Sequence, residues 1–199
     1  MRGAYAQRSS PLLILGDSLS AGYGMALANS WPALLEPKLR AAGYPHPVVN
    51  ASISGETTAG GARRIGDLLA QHRPAAVVIA LGANDGLRGI APEEIARNLH
   101  SMIDAARAND AVVVVLQVRI PPNYGPAYSE RFEQVFIDAA TTAEVVLGPF
   151  LLDSFATDQG AFQSDGLHPT AAVQPRIVDT VWPVIERALS MAAAESPRT

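Results

Sequence analysis

Cysteine is absent from the 199 residues of this chain. Its absence excludes a disulfide framework, a zinc site built on thiolates and a cysteine nucleophile. The absence of cysteine does not indicate a redox compartment, because a chain without thiols is compatible with reducing and oxidising compartments alike. A nucleophile in this protein must therefore be another residue type.

Long hydrophobic runs are also missing. The two longest, residues 75–81 and 111–116, are far too short to cross a bilayer, so no integral membrane span is expected. Residues 1–10 lack the apolar stretch of a secretory signal. Residues 4–6 (Ala-Tyr-Ala) have the small-x-small pattern of a signal-peptidase site, but with nothing apolar before them we interpret this pattern as coincidental.

An excess of positive charge is missing as well. Lys and Arg number 15 against 19 Asp and Glu, for a net charge of −4, and no basic stripe runs along the chain. Nucleic acid is therefore not an expected partner. With 48% hydrophobic and 17% charged residues, the composition is typical of a folded globular domain and not of a disordered chain.

Short apolar segments alternate with segments of helical periodicity along the chain. The predicted strands are residues 12–15, 48–51, 75–81, 111–118 and 145–147. The predicted helices are residues 31–42, 58–72, 92–107, 129–142 and 175–191. Pro183 is expected to kink or split the last helix. This alternation predicts an α/β fold, a parallel sheet with helices on both faces.

The domain boundaries follow from where the patterned segments begin and end. We expect one domain over residues 11–191. A flexible segment (residues 1–10) is expected before it, and a small, polar, frayed tail (residues 192–199) after it.

Ser18 follows the first strand directly, in the sequence Gly16-Asp17-Ser18. It is therefore expected at the carboxyl edge of the sheet, where open α/β sheets bind their ligands. The loops after the second and third strands carry Gly55 and Asn84 and open on the same edge, so the three residues can converge. Alone, Ser18 is equally typical of a helix cap or a turn.

His168 lies in a loop whose sequence differs from the surroundings of the other histidines. Pro169 holds it in an extended conformation, and Asp165 precedes it by three residues, with Gly166 permitting a tight turn. The carboxylate can bind the Nδ1 hydrogen and leave Nε2 free to take the proton of Ser18. The alternative is an Asp-Gly turn before a helix-starting proline.

An acyl-transfer site also needs donors for an oxyanion, which are usually backbone N–H groups and an amide. Gly55 offers an unobstructed backbone, and Asn84 offers the amide. Each is weak evidence alone, because glycine-rich turns after strands are common. Together with Ser18 and His168 they form a complete set of groups for acyl transfer.

Four sequence blocks resemble the SGNH (GDSL) hydrolase family. They are Gly-Asp-Ser-Leu-Ser from Gly16, the Gly55 loop, Gly-Ala-Asn-Asp from Gly82 and Asp-Gly-Leu-His-Pro from Asp165. The similarity runs on through residues 87–89 and 119–125 to the bacterial acyl-CoA thioesterase I/protease I/lysophospholipase branch and related arylesterases. It covers nearly the whole chain after Pro11 and implies a flavodoxin-like α/β/α sandwich, a five-stranded parallel sheet ordered 2-1-3-4-5.

The resemblance also implies a role for each residue of these blocks. Ser18 is then the nucleophile, His168 the general base and acid, and Asp165 the group that orients His168. The backbone N–H groups of Ser18 and Gly55 and the side chain of Asn84 form the oxyanion hole.

Asp17 and Asp85 are implied to hold their loops in place behind the reacting groups. The resemblance implies no cofactor and no metal. Proteins of this branch are typically exported to the periplasm or secreted, while residues 1–10 show no signal sequence. A periplasmic or secreted location is therefore expected, with the cytoplasm as the alternative.

These features predict a serine hydrolase for carboxylic esters and thioesters, namely fatty acyl thioesters, lysophospholipids and aryl esters, acting through an acyl-serine intermediate. Residues 87–91 and 120–128 are predicted to wall an apolar acyl groove. The predicted substrate contacts are Leu87, Ile90, Ile120, Pro121 and Tyr124. Gly86 and Gly89 permit the first of these loops to move as a lid, and an ordinary surface loop is the alternative.

Other functions remain open at this point. A carbohydrate acetylesterase of the same fold is one alternative, and a flavodoxin-like binding module without catalysis is another. The second lacks support, because the candidate catalytic residues are all present and no phosphate-binding glycine loop is found. Arg119 either contacts a polar head group or holds its own loop in place. We favour the second interpretation. The sequence leaves the natural substrate, the acyl chain length and the oligomeric state undetermined.

Overall fold

The strands of the sheet follow the buried apolar runs. The computed structural model describes residues 9–195. Its strands are β1 (Leu12–Gly16), β2 (Val48–Asn50), β3 (Ala76–Ala80), β4 (Val112–Leu116) and β5 (Val146–Gly148). Every residue of β1, β3 and β4 is buried. Continuous apolar strands of this kind are stable where helices cover both faces of the sheet.

The topology of the sheet creates a crevice at its carboxyl edge. Within residues 9–195, the five strands pair in parallel in the order β2-β1-β3-β4-β5. Leu12 of β1 lies beside Val48 on one side and Ala76 on the other. The chain changes direction of winding between β1 and β3, and ligands bind at such a point in open sheets. The predicted α/β class and strand order are confirmed.

Helices begin where the sequence supplies a cap or a proline. The helices are α1 (Ser18–Ala21), α2 (Trp31–Ala41), α3 (Thr58–His72), α4 (Ala83–Leu87), α5 (Pro92–Arg107), α6 (Pro126–Thr142) and α7 (Gln174–Glu195). The Thr57 side chain accepts a hydrogen bond from the Gly60 N–H at 3.3 Å and caps α3. Pro92 opens α5, where its missing N–H leaves no helical hydrogen bond unmade. Both helices have the predicted bounds.

Alternate strand residues face two separate apolar layers. Leu12 and Ile14 belong to the cluster that includes residues of α2 and α7, whereas Leu13 and Leu15 belong to the cluster that includes residues of α3, α5 and α6. This division follows from the two-residue period of a strand. The result is the expected three-layer sandwich, which fixes the strand ends rigidly at the crevice.

Besides the last helix, three helices differ from their predictions by more than one residue. The segments that contain α1 and α4 are predicted as loops, but each forms a short helix of one turn or slightly more. The third, α6, begins at Pro126 instead of at residue 129, because Pro126 occupies the first helical position after Gly125 (φ 86°). The two short helices carry Ser18 and Asn84, two of the predicted site residues.

The last helix is longer than predicted and is not split by Pro183. Pro183 and Asp179 lie on the exposed face of α7, so the carbonyl that loses its N–H partner faces solvent. The opposite face stays buried through Val181 and Ile185 and holds the helix together across the proline. Residues 192–195 of the predicted frayed tail are helical; residues 1–8 and 196–199 lie outside the described residues. In the described part of the chain, no helix has the length and apolarity needed to span a membrane.

Candidate active site

The nucleophile candidate lies at the first residue of a helix that starts directly after β1. Asp17 is the cap of α1, and its Oδ1 accepts a hydrogen bond from the Leu19 N–H at 3.0 Å. The helix ends four residues later at Gly22, which adopts the left-handed conformation (φ 77°). Strand β1 and this cap together fix Ser18 at the carboxyl edge of the sheet.

A tight loop presents the imidazole to Ser18. Asp165 Oδ1 accepts hydrogen bonds from the backbone N–H groups of Leu167 at 2.9 Å and His168 at 3.0 Å. Its Oδ2 lies 2.7 Å from His168 Nδ1, and His168 Nε2 lies 2.8 Å from Ser18 Oγ. With the ring proton on Nδ1, Nε2 can accept the hydroxyl proton of Ser18. The three side chains therefore form one continuous hydrogen-bonded chain.

Asp165 is held in its ionised form. The backbone N–H groups of His168 and Leu167, followed by the His168 side chain, lower the pKa of Asp165 to about 2. A carboxylate at this position keeps the proton of the ring on Nδ1 and stabilises the positive imidazolium that forms when His168 takes a proton.

Three residues with hydrogen-bond donors, Ser18, Gly55 and Asn84, line the same cavity. In the described residues, the N–H groups of Ser18 and Gly55 donate no hydrogen bond within the protein. Asn84 Nδ2 donates to the Glu56 carbonyl at 3.0 Å, which fixes the amide, and it lies 3.4 Å from Asp17 Oδ2. The longer contact is weak, so the amide hydrogen on that side stays available to a better acceptor. This arrangement can bind an oxyanion next to the serine.

A cavity of about 670 Å³ opens beside these groups. One wall comes from α4 and the loop after β4, and the other from α1 and the segment after β5. The apolar residues of the two walls are Leu19, Ala83, Leu87, Val118, Ile120, Pro121, Phe150, Leu152, Ala156, Phe162 and Leu167. The cavity has the size and apolar character of a small-molecule site and can accept a fatty acyl chain.

Comparison with known proteins decides the family. Residues 14–174 match the GDSL-like Lipase/Acylhydrolase family, which is most of the chain. The chain belongs to this family. This chain is 49% identical to "Esterase TesA" of Pseudomonas aeruginosa over 175 residues, which cover 88% of this chain and 87% of that one. It is 41% identical to "Thioesterase 1/protease 1/lysophospholipase L1" of Escherichia coli K12 over 174 residues, covering 87% and 82%.

A solved structure supports the same assignment. The esterase EstA from Pseudoalteromonas sp., in a form inhibited by monoethylphosphonate, superimposes on this protein with a TM-score of 0.87. The identity is 38%, and the match covers 92% of this chain and 100% of that one. The predicted SGNH resemblance is confirmed, and the protein is an enzyme of the ester hydrolase class.

Two of the five predicted substrate contacts do not line the cavity. Leu87, Ile120 and Pro121 line it, as predicted. Ile90 instead packs against the core beneath α5 and α6. Tyr124 turns its hydroxyl onto the Leu87 carbonyl at 3.0 Å and so acts on the loop and not on the cavity. Ile90 and Tyr124 thus lie away from the cavity, because a loop presents only some of its side chains to one side.

The sequence analysis missed the second wall of the cavity. Phe150, Leu152 and Phe162 belong to the irregular segment after β5, which has no periodicity that marks a function. Tyr23 was also missed: its ring lies 4.2 Å from the His168 ring, centroid to centroid. One signal was available, since Phe150 follows β5 directly and must lie at the carboxyl edge.

Arg119 ties the two walls together. Its Nη1 lies 2.6 Å from Asp153 Oδ1, and its Nε lies 3.7 Å from Glu133 Oε2. Its guanidinium also lies over the Phe150 ring, 5.5 Å from the centroid. Two acidic partners neutralise the charge of Arg119, which fits the favoured interpretation that it fixes its loop.

Two buried aspartates lie behind the reacting groups. Asp85 accepts hydrogen bonds from the Thr58 N–H at 2.9 Å and from the Thr58 hydroxyl at 2.5 Å, which ties α4 to the start of α3. Burial raises the pKa of Asp85, against these hydrogen bonds. Asp17 is 2% exposed, and burial raises its pKa from 3.8 to about 6, although the Leu19 N–H and the nearby His168 act in the opposite direction.

The raised pKa of Asp17 predicts a pH-dependent loss of stability. Between pH 3.8 and about 6, the folded state binds this proton more tightly than the unfolded chain, so stability falls as the pH rises. The loss is complete above the folded pKa and amounts to at most about 3 kcal/mol. We expect Asp17→Asn to remove this pH-dependent loss of stability while keeping the helix cap. The gain in stability of this variant should therefore grow by about 2 kcal/mol between roughly pH 4.5 and pH 7.

Urea unfolding of the wild type and the variant at both pH values measures this difference. Asp67→Asn is the matched control, because Asp67 is exposed and makes no side-chain contact within residues 9–195. A stability difference for Asp17→Asn that does not change with pH contradicts the prediction.

Proposed function

We propose that the protein is a serine hydrolase that cleaves carboxylic esters and thioesters through an acyl-serine intermediate. Fatty acyl thioesters, lysophospholipids and aryl esters are the proposed substrates. The observation that carries this proposal is the hydrogen-bonded chain from Ser18 Oγ through His168 to Asp165, with contacts of 2.8 and 2.7 Å. An alcohol becomes a nucleophile when a neutral imidazole, oriented by a carboxylate, can take its proton.

The first half of the reaction forms the acyl-enzyme. Ser18 Oγ attacks the carbonyl carbon of the substrate while His168 Nε2 takes the hydroxyl proton. The carbonyl oxygen becomes an oxyanion that accepts hydrogen bonds from Ser18 N–H, Gly55 N–H and Asn84 Nδ2. The intermediate then collapses, His168 gives its proton to the alcohol or thiol that leaves, and the acyl group stays on Ser18.

The second half repeats these steps with water. His168 takes a proton from a water molecule, which attacks the acyl-serine carbonyl, and the same donors bind the second oxyanion. The carboxylic acid leaves, and Ser18 regains its proton from His168. Asp165, whose pKa is about 2, stays ionised throughout. Every bond made or broken uses groups of this chain and water.

The walls of the cavity support an apolar acyl group. Within the part of the chain that is described, eleven apolar residues line the cavity, and the polar lining residues outside the reacting groups are Tyr23, Ser54 and Arg119. Arg119 is neutralised by its acidic partners. A sugar acetate would bury most of its hydroxyl groups against the apolar residues, where they have no hydrogen-bond partner, which is costly. The walls therefore favour fatty acyl substrates over the alternative, a carbohydrate acetylesterase.

A panel of substrates tests this proposal. We expect kcat/KM to rise with chain length along a series of p-nitrophenyl esters, and we expect hydrolysis of a long-chain acyl thioester and a lysophospholipid. Acetylated xylan oligosaccharide is the comparison substrate and should be hydrolysed slowly. Faster turnover of the acetylated sugar than of every acyl ester and thioester would reject the proposal in favour of its alternative.

We further propose that the enzyme acts in the periplasm or is secreted. The support for this location is the resemblance to exported enzymes described above. The cytoplasm is the alternative, and fractionation of cells expressing the natural gene distinguishes the two.

A further inference from the structure

The oxyanion loop between β2 and α3 contains a turn whose form decides where an N–H group points. Glu56 N–H donates to the Ile53 carbonyl at 3.1 Å, and Gly55 has a φ of 81°. In the turn of residues 53–56, Gly55 is the third residue, and Ser54 before it does not have a positive φ. A positive φ at the third residue and not at the second defines a type II turn. In a type I turn, the central peptide is rotated by roughly half a revolution relative to type II. The direction of the Gly55 N–H therefore depends on the turn staying in the type II form.

Arg64 of α3 binds both ends of this loop. Its Nε donates to Glu56 Oε2 at 2.8 Å, and its Nη2 donates to the Ala51 carbonyl at 3.0 Å. The side chains of Arg64 and Glu56 are 29% and 13% exposed, so the ion pair is largely shielded from solvent. Gly60 permits this arrangement, because the Glu56 carboxylate occupies the place where a Cβ of residue 60 would lie.

Weaker contacts join the same loop to α4. Asn84 Nδ2 donates to the Glu56 carbonyl at 3.0 Å, and Arg88 Nη2 donates to the Gly55 carbonyl at 3.2 Å. Arg88 makes a single contact at the surface, whereas Arg64 makes two, to residues 51 and 56 on either side of the turn. Arg64 is thus the side chain that links the two ends of this loop.

We propose that Arg64, through Glu56, is a positioning residue of the oxyanion hole: it holds the turn of residues 53–56 in the type II form that directs the Gly55 N–H toward the substrate oxygen. This inference rests on the proposed function. Arg64 does not line the cavity in the described residues, so it has no direct contact with the acyl chain. Its loss therefore weakens binding of the transition state and leaves binding of the substrate nearly unchanged.

Kinetics of Arg64→Ala with a p-nitrophenyl ester test the proposal. We expect kcat to fall about 10- to 100-fold, less than the complete loss of one oxyanion donor, with KM changed by less than about twofold. Arg64→Lys keeps the charge and one of the two contacts and should recover part of kcat. Arg63→Ala is the matched control: Arg63 is the neighbouring residue of α3, is exposed, and makes no side-chain contact among residues 9–195.

A double-mutant cycle with Gly55→Ala gives a result that a merely structural role of Arg64 would not produce. A Cβ at Gly55 meets no described atom within 4 Å, so Gly55→Ala acts only by disfavouring the positive φ. Once the N–H is misdirected, removal of Arg64 should add little, so the effects on kcat should be far from multiplicative. Multiplicative effects would overturn the inference, as would an unchanged kcat in Arg64→Ala.

Two further variants keep these outcomes distinguishable. If Arg64→Ala does not fold, Glu56→Gln breaks the same ion pair at constant size and should lower kcat by a smaller factor, because Arg64 keeps its contact with the Ala51 carbonyl. Asn84→Ala removes a different donor and should reduce kcat about 100- to 1,000-fold in either case. Full activity of Asn84→Ala would reject the proposed oxyanion hole itself, whereas a normal Arg64→Ala beside a slow Asn84→Ala would reject only the role of Arg64.

Discussion

Alanine in place of Ser18 is expected to reduce kcat for a p-nitrophenyl ester by at least about 10⁴-fold. The substitution removes only Oγ, the atom that forms the covalent bond and lies 2.8 Å from His168 Nε2. The helix cap survives, because Asp17 supplies it and residue 18 contributes only its backbone. The remaining donors can still bind an oxyanion, so residual hydrolysis by water is the most that the variant retains.

A serine-directed phosphonate gives a second, independent measurement for the same variant. Mass spectrometry should find the wild type modified at Ser18 and the variant unmodified. Ser20→Ala is the matched control for kinetics and labelling, since Ser20 lies two residues further along the same helix, is buried, and accepts a hydrogen bond from Trp31 Nε1 and not from the imidazole. Wild-type turnover by Ser18→Ala with an unchanged melting temperature contradicts the acyl-serine mechanism.

Asparagine in place of Asp165 is expected to cost about 10³- to 10⁴-fold in kcat at neutral pH. The amide keeps an oxygen for the N–H groups of Leu167 and His168, so the loop can keep its shape. The other amide position becomes an N–H donor facing Nδ1 of His168, which forces the ring proton onto Nε2. An imidazole protonated at Nε2 cannot accept the proton of Ser18.

The matched control for Asp165→Asn is Asp158→Asn. Asp158 also lies at the surface and also accepts a backbone N–H, from Gly160 at 3.0 Å, but it has no imidazole partner. This control should keep full activity. The rate of phosphonate labelling of Ser18 should be measured alongside the kinetics, because the wrong tautomer of the His168 ring slows labelling as well. Equal activity of Asp165→Asn and wild type would remove Asp165 from the mechanism.

Much of the fold follows from local signals in the sequence. The bounds of α3 and α5 are predictable because Thr57 and Pro92 mark their starts and apolar residues recur at helical spacing. The strands are predictable because their residues are apolar and β-branched without interruption. The strand order came from the resemblance, since periodicity carries no information on which strands are neighbours.

The failures of prediction have physical causes. Pro183 does not break α7, because packing of the buried face outweighs the loss of one hydrogen bond on the exposed face. The helices α1 and α4 are too short for a periodic pattern and depend on tertiary contacts. At the cavity, the motifs gave Ser18, Asn84 and His168, whose chemistry shows in the residue type. Phe150 and Phe162 are ordinary apolar residues whose function comes only from their position in space.

The distance along the chain between Ser18 and His168 has a consequence for biosynthesis. The two residues are 150 positions apart and meet only after the sheet has formed. A ribosome releases the N-terminal part of a chain first, so Ser18 and both oxyanion loops emerge long before His168. The loop of His168 is in turn followed by α7, which packs against α2 and β4. Under the proposed mechanism, a nascent chain therefore carries a serine without its base until the loop of His168 has emerged and packed.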